Sequence, residues 1–208
     1  MTRGAAFLSF EGIDGSGKTT QARLLAEALR AQGREVVLTR EPGGSPGAEA
    51  IRRLLVEGDP DRWSPETEIL LFTAARRDHL EKTIGPALQA GRIVVTDRFA
   101  DSTRVYQGAA RGELRALVDE LHARLIGCEP DLTFVIDMDP AMALARGLAR
   151  QSGEDRFEDM GAGFQARLRD GFVALARRFP TRCRLIDGAR PAEAIAAEVL
   201  ALAERALR

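Results

Sequence analysis

The stretch Gly12-Ile13-Asp14-Gly15-Ser16-Gly17-Lys18-Thr19 most constrains what this chain can fold into. It satisfies G-x-x-x-x-G-K-[ST] in full, with an apolar run (FLSFE, residues 7–11) before it and an amphipathic pattern after it. That context distinguishes a phosphate-binding loop from a chance glycine-rich turn. The glycines let backbone N–H groups face phosphate oxygens, and the following helix adds the positive end of its dipole. Lys18 is one of only two lysines among 30 basic residues, the other being Lys82. A compact ammonium on a flexible stem fits between the β- and γ-phosphates, where a planar guanidinium has a different shape and bonding geometry. Thr19 offers its hydroxyl to Mg²⁺, and Thr20 continues the phosphate-facing backbone. The motif implies a nucleoside triphosphate and phosphoryl chemistry. It does not name the acceptor.

Five short apolar runs predict strands at 7–11, 35–39, 93–97, 132–137 and 184–187. Their apolar character is continuous rather than alternating, which predicts that both faces are covered. Between them, helical patterns occupy 21–32, 66–90, 113–126, 140–149, 164–179 and 191–207. Gly33 is placed to end the first helix, and Ser64-Pro65 to open the second. Strands alternating with helices predict an α/β fold: a five-stranded parallel sheet flanked by helices in three layers. The polar stretch 150–163 reads as a mobile loop or an ordinary surface connection.

The length, 208 residues, suits one domain. A net charge of −1 argues against a nucleic-acid-coating protein and against a polybasic membrane binder. The two cysteines, Cys128 and Cys183, form neither a disulfide framework nor a metal spacing. The N-terminal apolar run is too short for a signal peptide, and no stretch approaches the ~20 apolar residues of a membrane span. These features together read as a cytoplasmic globular protein.

A guanine-reading switch would need an Asn-Lys-x-Asp element, and this chain contains no asparagine. A regulatory ATP-binding module would need no second constellation for an acceptor, yet one is visible. TREPGG (39–44) follows the second strand, FTAARRDHL (72–80) lies on the long helix, and DRFADSTRVYQGAARG (97–112) follows the third strand. Loops after parallel strands gather at one sheet edge, so Arg40, Asp97, Arg98 and the residues up to Gln107 should converge on one crevice. Phe72 and Arg76, four apart, share a helix face. The ring suits stacking on a pyrimidine and the guanidinium suits a base carbonyl, while the alternative for Phe72 is a core aromatic. Arg98 has the planar fork that matches an acceptor phosphate, with Arg40 assisting; a solvated surface arginine is the alternative for each. Asp97 ends an apolar strand, where a carboxylate would hold Mg²⁺; a turn aspartate is the alternative.

FEGIDGSGKTTQ, TREPGG, ETEILLFTAARRDH, DRFADSTRVYQG and the lid-like ARGLARQSGEDRFE together resemble the thymidylate kinase family of bacterial type, along nearly the whole chain. The resemblance implies the P-loop nucleoside monophosphate kinase fold in a single domain over 1–208, with a lid-like segment at about 146–160. It implies transfer of the ATP γ-phosphate to dTMP with Mg²⁺, and a homodimer. It also implies that Phe72 and Arg76 face thymine and that Asp14 faces the acceptor's sugar or phosphate. Thr103, Tyr106 and Gln107 would wall base and sugar, with Ser102 contributing and Tyr106 obstructing a ribose 2′-hydroxyl. Some members carry arginine at the position of Gly15. This chain does not, so the resemblance turns attention to Arg150 first, then Arg146, with Arg156 beside them, as the cation near the transferring phosphoryl. It implies a cis bond before Pro42, and adenine near the lid and the 187–190 turn. His79 and His122 receive no catalytic role.

Overall fold

The computed structural model describes residues 4–59, 62–110, 114–148 and 162–207. Five parallel strands form one sheet in the order β2-β3-β1-β4-β5. They are β1 (Ala6–Glu11), β2 (Val36–Arg40), β3 (Ile93–Asp97), β4 (Leu132–Asp137) and β5 (Cys183–Asp187). Alternation along each strand sorts its side chains between two helical layers. Leu8 and Phe10 of β1, Val95 of β3 and Phe134 of β4 pack against α1 (Lys18–Ala31) and α9 (Ala192–Ala206) through Leu25, Leu29, Ile195 and Val199. On the other face, Phe7 and Val94 meet Ile84 and Phe99. Val135 meets Leu168 and Phe172 of α8 (Ala162–Arg178). Both faces are therefore covered over the three central strands, which explains their unbroken apolar runs.

The two outer strands depart from that expectation. Neither β2 nor β5 is buried throughout, and Leu38 and Leu185 are exposed. Both lie at sheet edges, where one hydrogen-bonding side and part of each face have no neighbouring strand.

Beyond β2, α2 (Pro46–Val56) packs against α3 (Pro65–His79). This helix was not among the sequence patterns. Ser64 caps α3 as expected, its Oγ accepting from Thr67 N at 3.2 Å, with Pro65 in the first turn. The helix continues through a π-helical turn (Leu80–Ile84) into α4 (Gly85–Gln89). Lys82 pairs with Asp78 at 2.5 Å, one helical turn apart. Then α5 (Ala100–Val105) leads into a second π turn (Tyr106–Ala110). It is followed by α6 (Arg115–Leu121), which ends in a third π turn (His122–Ile126). α7 (Pro140–Leu148) completes the set. Register places Arg40 beside Asp97 and Asp97 beside Phe10, so the carboxyl ends of β2, β3 and β1 form one row beneath the phosphate loop.

Candidate active site

The loop leaves β1 at Glu11 and enters α1 at Lys18. Gly15 takes φ +76°, and a Cβ there would stand 2.0 Å from the carbonyl oxygen of Ala143 on α7. Glycine is required twice over, for the backbone angle and for this approach. The same contact leaves no room for an arginine inside the loop. Lys18 is buried, and its Nζ donates to Ile13 O at 2.7 Å. Burial and the neighbouring Arg98 charge push its ammonium down to about 8.

Arg98 follows β3 and is the one non-glycine residue with positive φ (69°) among the described residues. Such a backbone costs about 1–3 kcal/mol and persists only when its surroundings hold it. Thr96 Oγ1 donates to Arg98 O at 2.9 Å, and Arg98 N donates to Phe10 O at 2.9 Å. The guanidinium donates to Ser102 Oγ (2.9 Å), Tyr106 Oη (3.1 Å), Gly12 O (3.3 Å) and Asp14 Oδ1. Tyr106 donates to the second Asp14 oxygen. Burial alone would raise Asp14, but the Arg98 and Lys18 charges outweigh it and hold the carboxyl below its ordinary range. For Tyr106, burial dominates and lifts the phenol well above its ordinary value, so it stays a donor.

Asp14, Arg98, Ser102 and Tyr106 line one end of a cavity whose other wall is built by α3 and α5. Glu68, Phe72 and Arg76 recur every four residues, so they share one face of α3. That face meets Thr103 and Gln107, which are also four apart. Gln107 Nε2 donates to Glu68 Oε2 at 3.1 Å, and Arg76 Nη2 to Thr103 Oγ1 at 2.9 Å. Phe72, Thr103 and Gln107 line the cavity; Arg76 does not. Its guanidinium lies behind the wall, 3 % exposed, paired with Glu41 Oε2 at 2.7 Å and stacked over Phe99. Arg76 thus reaches the cavity through Glu41 and Thr103 rather than by facing it.

Arg40 stands elsewhere. It is exposed, pairs with Glu49 at 3.3 Å, and lines a second cavity together with Thr19 and Asp97. Side chains alternate across a strand, and the next residue, Glu41, is the one that enters the acceptor cavity. The Glu41–Pro42 bond is cis. Arg146 donates weakly to Gly188 O (3.4 Å) and Met138 Sδ (3.5 Å), which puts it beside the 187–190 turn. Arg150, Arg156 and most of the lid-like segment lie outside the described residues.

Thr19 Oγ1 donates to Asp97 Oδ2 at 2.5 Å, while Asp97 Oδ1 is buried with no hydrogen-bond partner. An orphaned carboxylate oxygen beside a hydroxyl at the loop fits a hard divalent cation that takes its remaining ligands from phosphate and water. Sequence reasoning missed Glu11, Glu41, Pro42, Arg52 and Val56. The last four line the acceptor cavity, with Arg52 donating to Pro42 O. Arg52 and Val56 sit on the unforeseen α2, and Glu11 looked only like the end of an apolar strand.

A parallel sheet carrying a phosphate loop, a buried lysine, a cation-ready Thr–Asp pair and an adjacent arginine-lined cavity defines a P-loop phosphotransferase with a small-molecule acceptor. The family model described as thymidylate kinase matches residues 10–199. A thymidylate kinase of Dinoroseobacter shibae is 72% identical over 201 residues, covering 97% of each chain. One from Caulobacter vibrioides is 51% identical, covering 96% of this chain and 95% of its own. The crystal structure of thymidylate kinase from Ehrlichia chaffeensis superposes with a TM-score of 0.78 at 40% identity, covering 96% of this chain and 99% of that one. The chain belongs to the thymidylate kinase family, and its enzyme class is that of the nucleoside monophosphate kinases.

Proposed function

We propose that this site transfers the γ-phosphate of ATP to dTMP, giving dTDP and ADP for dTTP synthesis. The observation that carries the reading is the Arg98–Asp14–Tyr106 cluster, which sets a phosphate-matching fork at one end of a cavity walled by Phe72, Thr103 and Gln107. Arg98 holds the dTMP phosphate, whose ionised oxygen attacks the γ-phosphorus. The bond to the bridging oxygen breaks, and ADP leaves with the electron pair. No strong general base is needed.

The loop from Gly12 to Thr20 holds the ATP phosphates through backbone N–H groups, and Lys18 adds its charge. Thr19 and Asp97 would hold Mg²⁺, which when bound neutralises charge on the transferring phosphoryl. Arg146 approaches from the adenine side beside Gly188, and Arg150 of the lid-like segment at about 146–160 completes the cationic set. Phe72 stacks on the thymine ring, Gln107 and Thr103 meet the base and sugar, and Ser102 supports Arg98. The whole chain acts as one P-loop kinase domain.

The functional unit in this reading is a homodimer. Leu70, Ala74 and Arg77 share an outer face of α3, and Arg77 Nη1 donates to Leu125 O at 2.8 Å. Leu70 and Leu125 are exposed there, a patch suited to a second copy of the chain. Among the described residues no helix is long and apolar enough to cross a membrane. In this reading the protein works in the cytoplasm. Neither nucleic acid nor membrane is a partner in it.

The test is ADP release from ATP with Mg²⁺ against dTMP, dUMP, UMP, dCMP, AMP, GMP, thymidine and no acceptor. Fast turnover with dTMP, weaker with dUMP and negligible with UMP is expected. One methyl group separates thymine from uracil, worth only ~1–3 kcal/mol. A preference for a different acceptor would overturn the base pocket and leave the phosphotransferase standing.

A further inference from the structure

Glu11 is fully buried at the end of β1, and both of its carboxylate oxygens are engaged with the segment that carries Arg98. Oε1 accepts from Phe99 N at 2.8 Å, the peptide N–H that immediately follows the left-handed Arg98 backbone. Oε2 accepts from Ser102 Oγ at 2.6 Å, and the same Ser102 oxygen accepts from Arg98 Nη1 at 2.9 Å. One carboxylate therefore reaches Arg98 by two routes, through the Arg98–Phe99 peptide and, by way of Ser102, through its guanidinium. A buried carboxylate is costly unless it is paired or hydrogen-bonded, and the partners of this one all come from the Arg98 segment. This one also lies near the buried Asp101, and burial with that like charge pushes it up to about 7. Packing alone would be served equally well by a neutral side chain of the same shape.

We propose that Glu11 is a positioning residue for the acceptor phosphate: it fixes Arg98 at both its strained backbone and its fork, so that the fork faces the cavity before dTMP arrives. The inference rests on the reading that Arg98 holds that phosphate. A preorganised fork binds without first paying for its own ordering. Glu11 does not touch substrate. It acts through Ser102 and the Phe99 peptide.

Glu11→Gln separates positioning from packing. The amide has the same shape, removes a buried charge beside Asp101, and so leaves the fold at least as stable. Its nitrogen cannot accept, so only one of the two donors from the Arg98 segment keeps its partner. By calorimetric titration of the folded variant, dTMP binding is expected to weaken about tenfold or more. ADP binding, read in a separate titration, should stay within about twofold, with a melting temperature at or above that of the unaltered protein. Unchanged dTMP affinity would overturn the proposal, as would an equal loss for both nucleotides.

Glu11→Asp keeps the charge but is one methylene shorter and reaches one donor at most. It should show an intermediate loss of dTMP affinity, and it decides the question if Glu11→Gln does not fold; unchanged dTMP affinity in Glu11→Asp would then overturn the proposal. Arg98→Ala tests the underlying reading on its own. Full dTMP affinity in that variant would remove Arg98 as the phosphate holder, whereas weak binding there with normal binding in Glu11→Gln would overturn only the positioning role.

Discussion

Tyr106 donates its hydroxyl proton to Asp14 Oδ2 across 2.7 Å, tying the π turn after α5 to the phosphate loop. The ring is held independently, with its edge against Phe164 and Phe172 at 6.3 and 6.2 Å between centroids. Hydroxyl and ring therefore have separable effects. Tyr106→Phe should lower stability by about 1 kcal/mol and raise KM for dTMP several-fold, because Asp14 and Arg98 lose one tie. UMP should remain a poor acceptor, since the ring still fills the space a 2′-hydroxyl would need. Tyr106→Ala should open that space. Steady-state kinetics with dTMP and UMP check both, and UMP turnover in Tyr106→Phe would remove the ring from sugar selection.

Lys18→Ala should reduce turnover by about 10²–10³-fold or more, since no other side chain of the loop replaces its charge. A pH signature accompanies it. Burial and Arg98 push the Lys18 ammonium down to about 8, so the unliganded site is charged below that pH and neutral above it. ATP needs the charged form. ATP affinity should therefore fall as pH rises through 8, and binding above pH 8 should take up a proton. Calorimetry in buffers of different ionisation enthalpy reads that uptake, which Lys18→Ala should abolish.

Phe72 and Arg76 illustrate what the sequence could and could not reveal. Their spacing correctly put them on one face of α3. Only the fold shows that Glu41, which follows β2, captures the Arg76 guanidinium behind the cavity wall. That contact spans 35 residues, and no local pattern encodes it. Arg40 was misleading for a related reason. It stands at the right sheet edge, but strand alternation sends Glu41 into the acceptor cavity and Arg40 into the neighbouring one. The missed α2 carried Ser45-Pro46, the same pair that opened α3 as Ser64-Pro65. Ser45 gives its hydroxyl to Asp78 instead of capping, and Gly43, Gly44 and Gly47 crowd the start of the helix, so its amphipathic pattern went unread although Ala48, Ile51, Leu54 and Leu55 carry it. The three central strands, buried on both faces, were legible nearly to the residue.

Arg76 and Phe72 should accordingly fail in different ways. Arg76→Ala leaves Glu41 buried without its main counter-charge and should cost about 3–5 kcal/mol of stability. Phe72 is only half-buried and lines the cavity, so Phe72→Ala should cost less stability but remove about 1–3 kcal/mol of base stacking from dTMP binding. Denaturant unfolding set beside dTMP titration separates the two. Equal stability losses with equal affinity losses would merge the roles again.

Gly15 should tolerate no side chain. A Cβ there meets Ala143 O at 2.0 Å, and that oxygen belongs to helix backbone that cannot swing aside alone. Gly15→Ala adds left-handed strain to overpacking and should cost about 2–4 kcal/mol, with a matching loss of turnover as α7 is displaced from the loop. Gly15→Arg should be worse rather than a gain of a phosphoryl-stabilising cation. Thermal unfolding and steady-state turnover decide. A stable, active Gly15→Arg would show that loop and helix separate more readily than their packing implies.

The last expectation concerns stability against pH. Glu11 faces Asp101 and Ser102 from α5, Arg98 from the turn after β3, and Lys18 from the start of α1. Burial first, then Asp101, push its carboxyl up from 4.5 to about 7, against the opposing pull of Ser102 and Arg98. The folded protein thus binds more protons at this site than the unfolded chain between those two values. By linkage, the contribution of Glu11 to stability is greatest below pH 4.5, declines across the window up to about 7, and is lost above it. Glu11→Gln carries no titrating group, so the stability difference between it and the unaltered protein should grow in favour of the variant from pH 4.5 to 7 and then level off. Denaturant midpoints taken across that range measure it directly. A difference independent of pH would mean that Glu11 titrates as an ordinary carboxylate, and that its burial is offset by the donors of Phe99 and Ser102 more fully than its surroundings indicate.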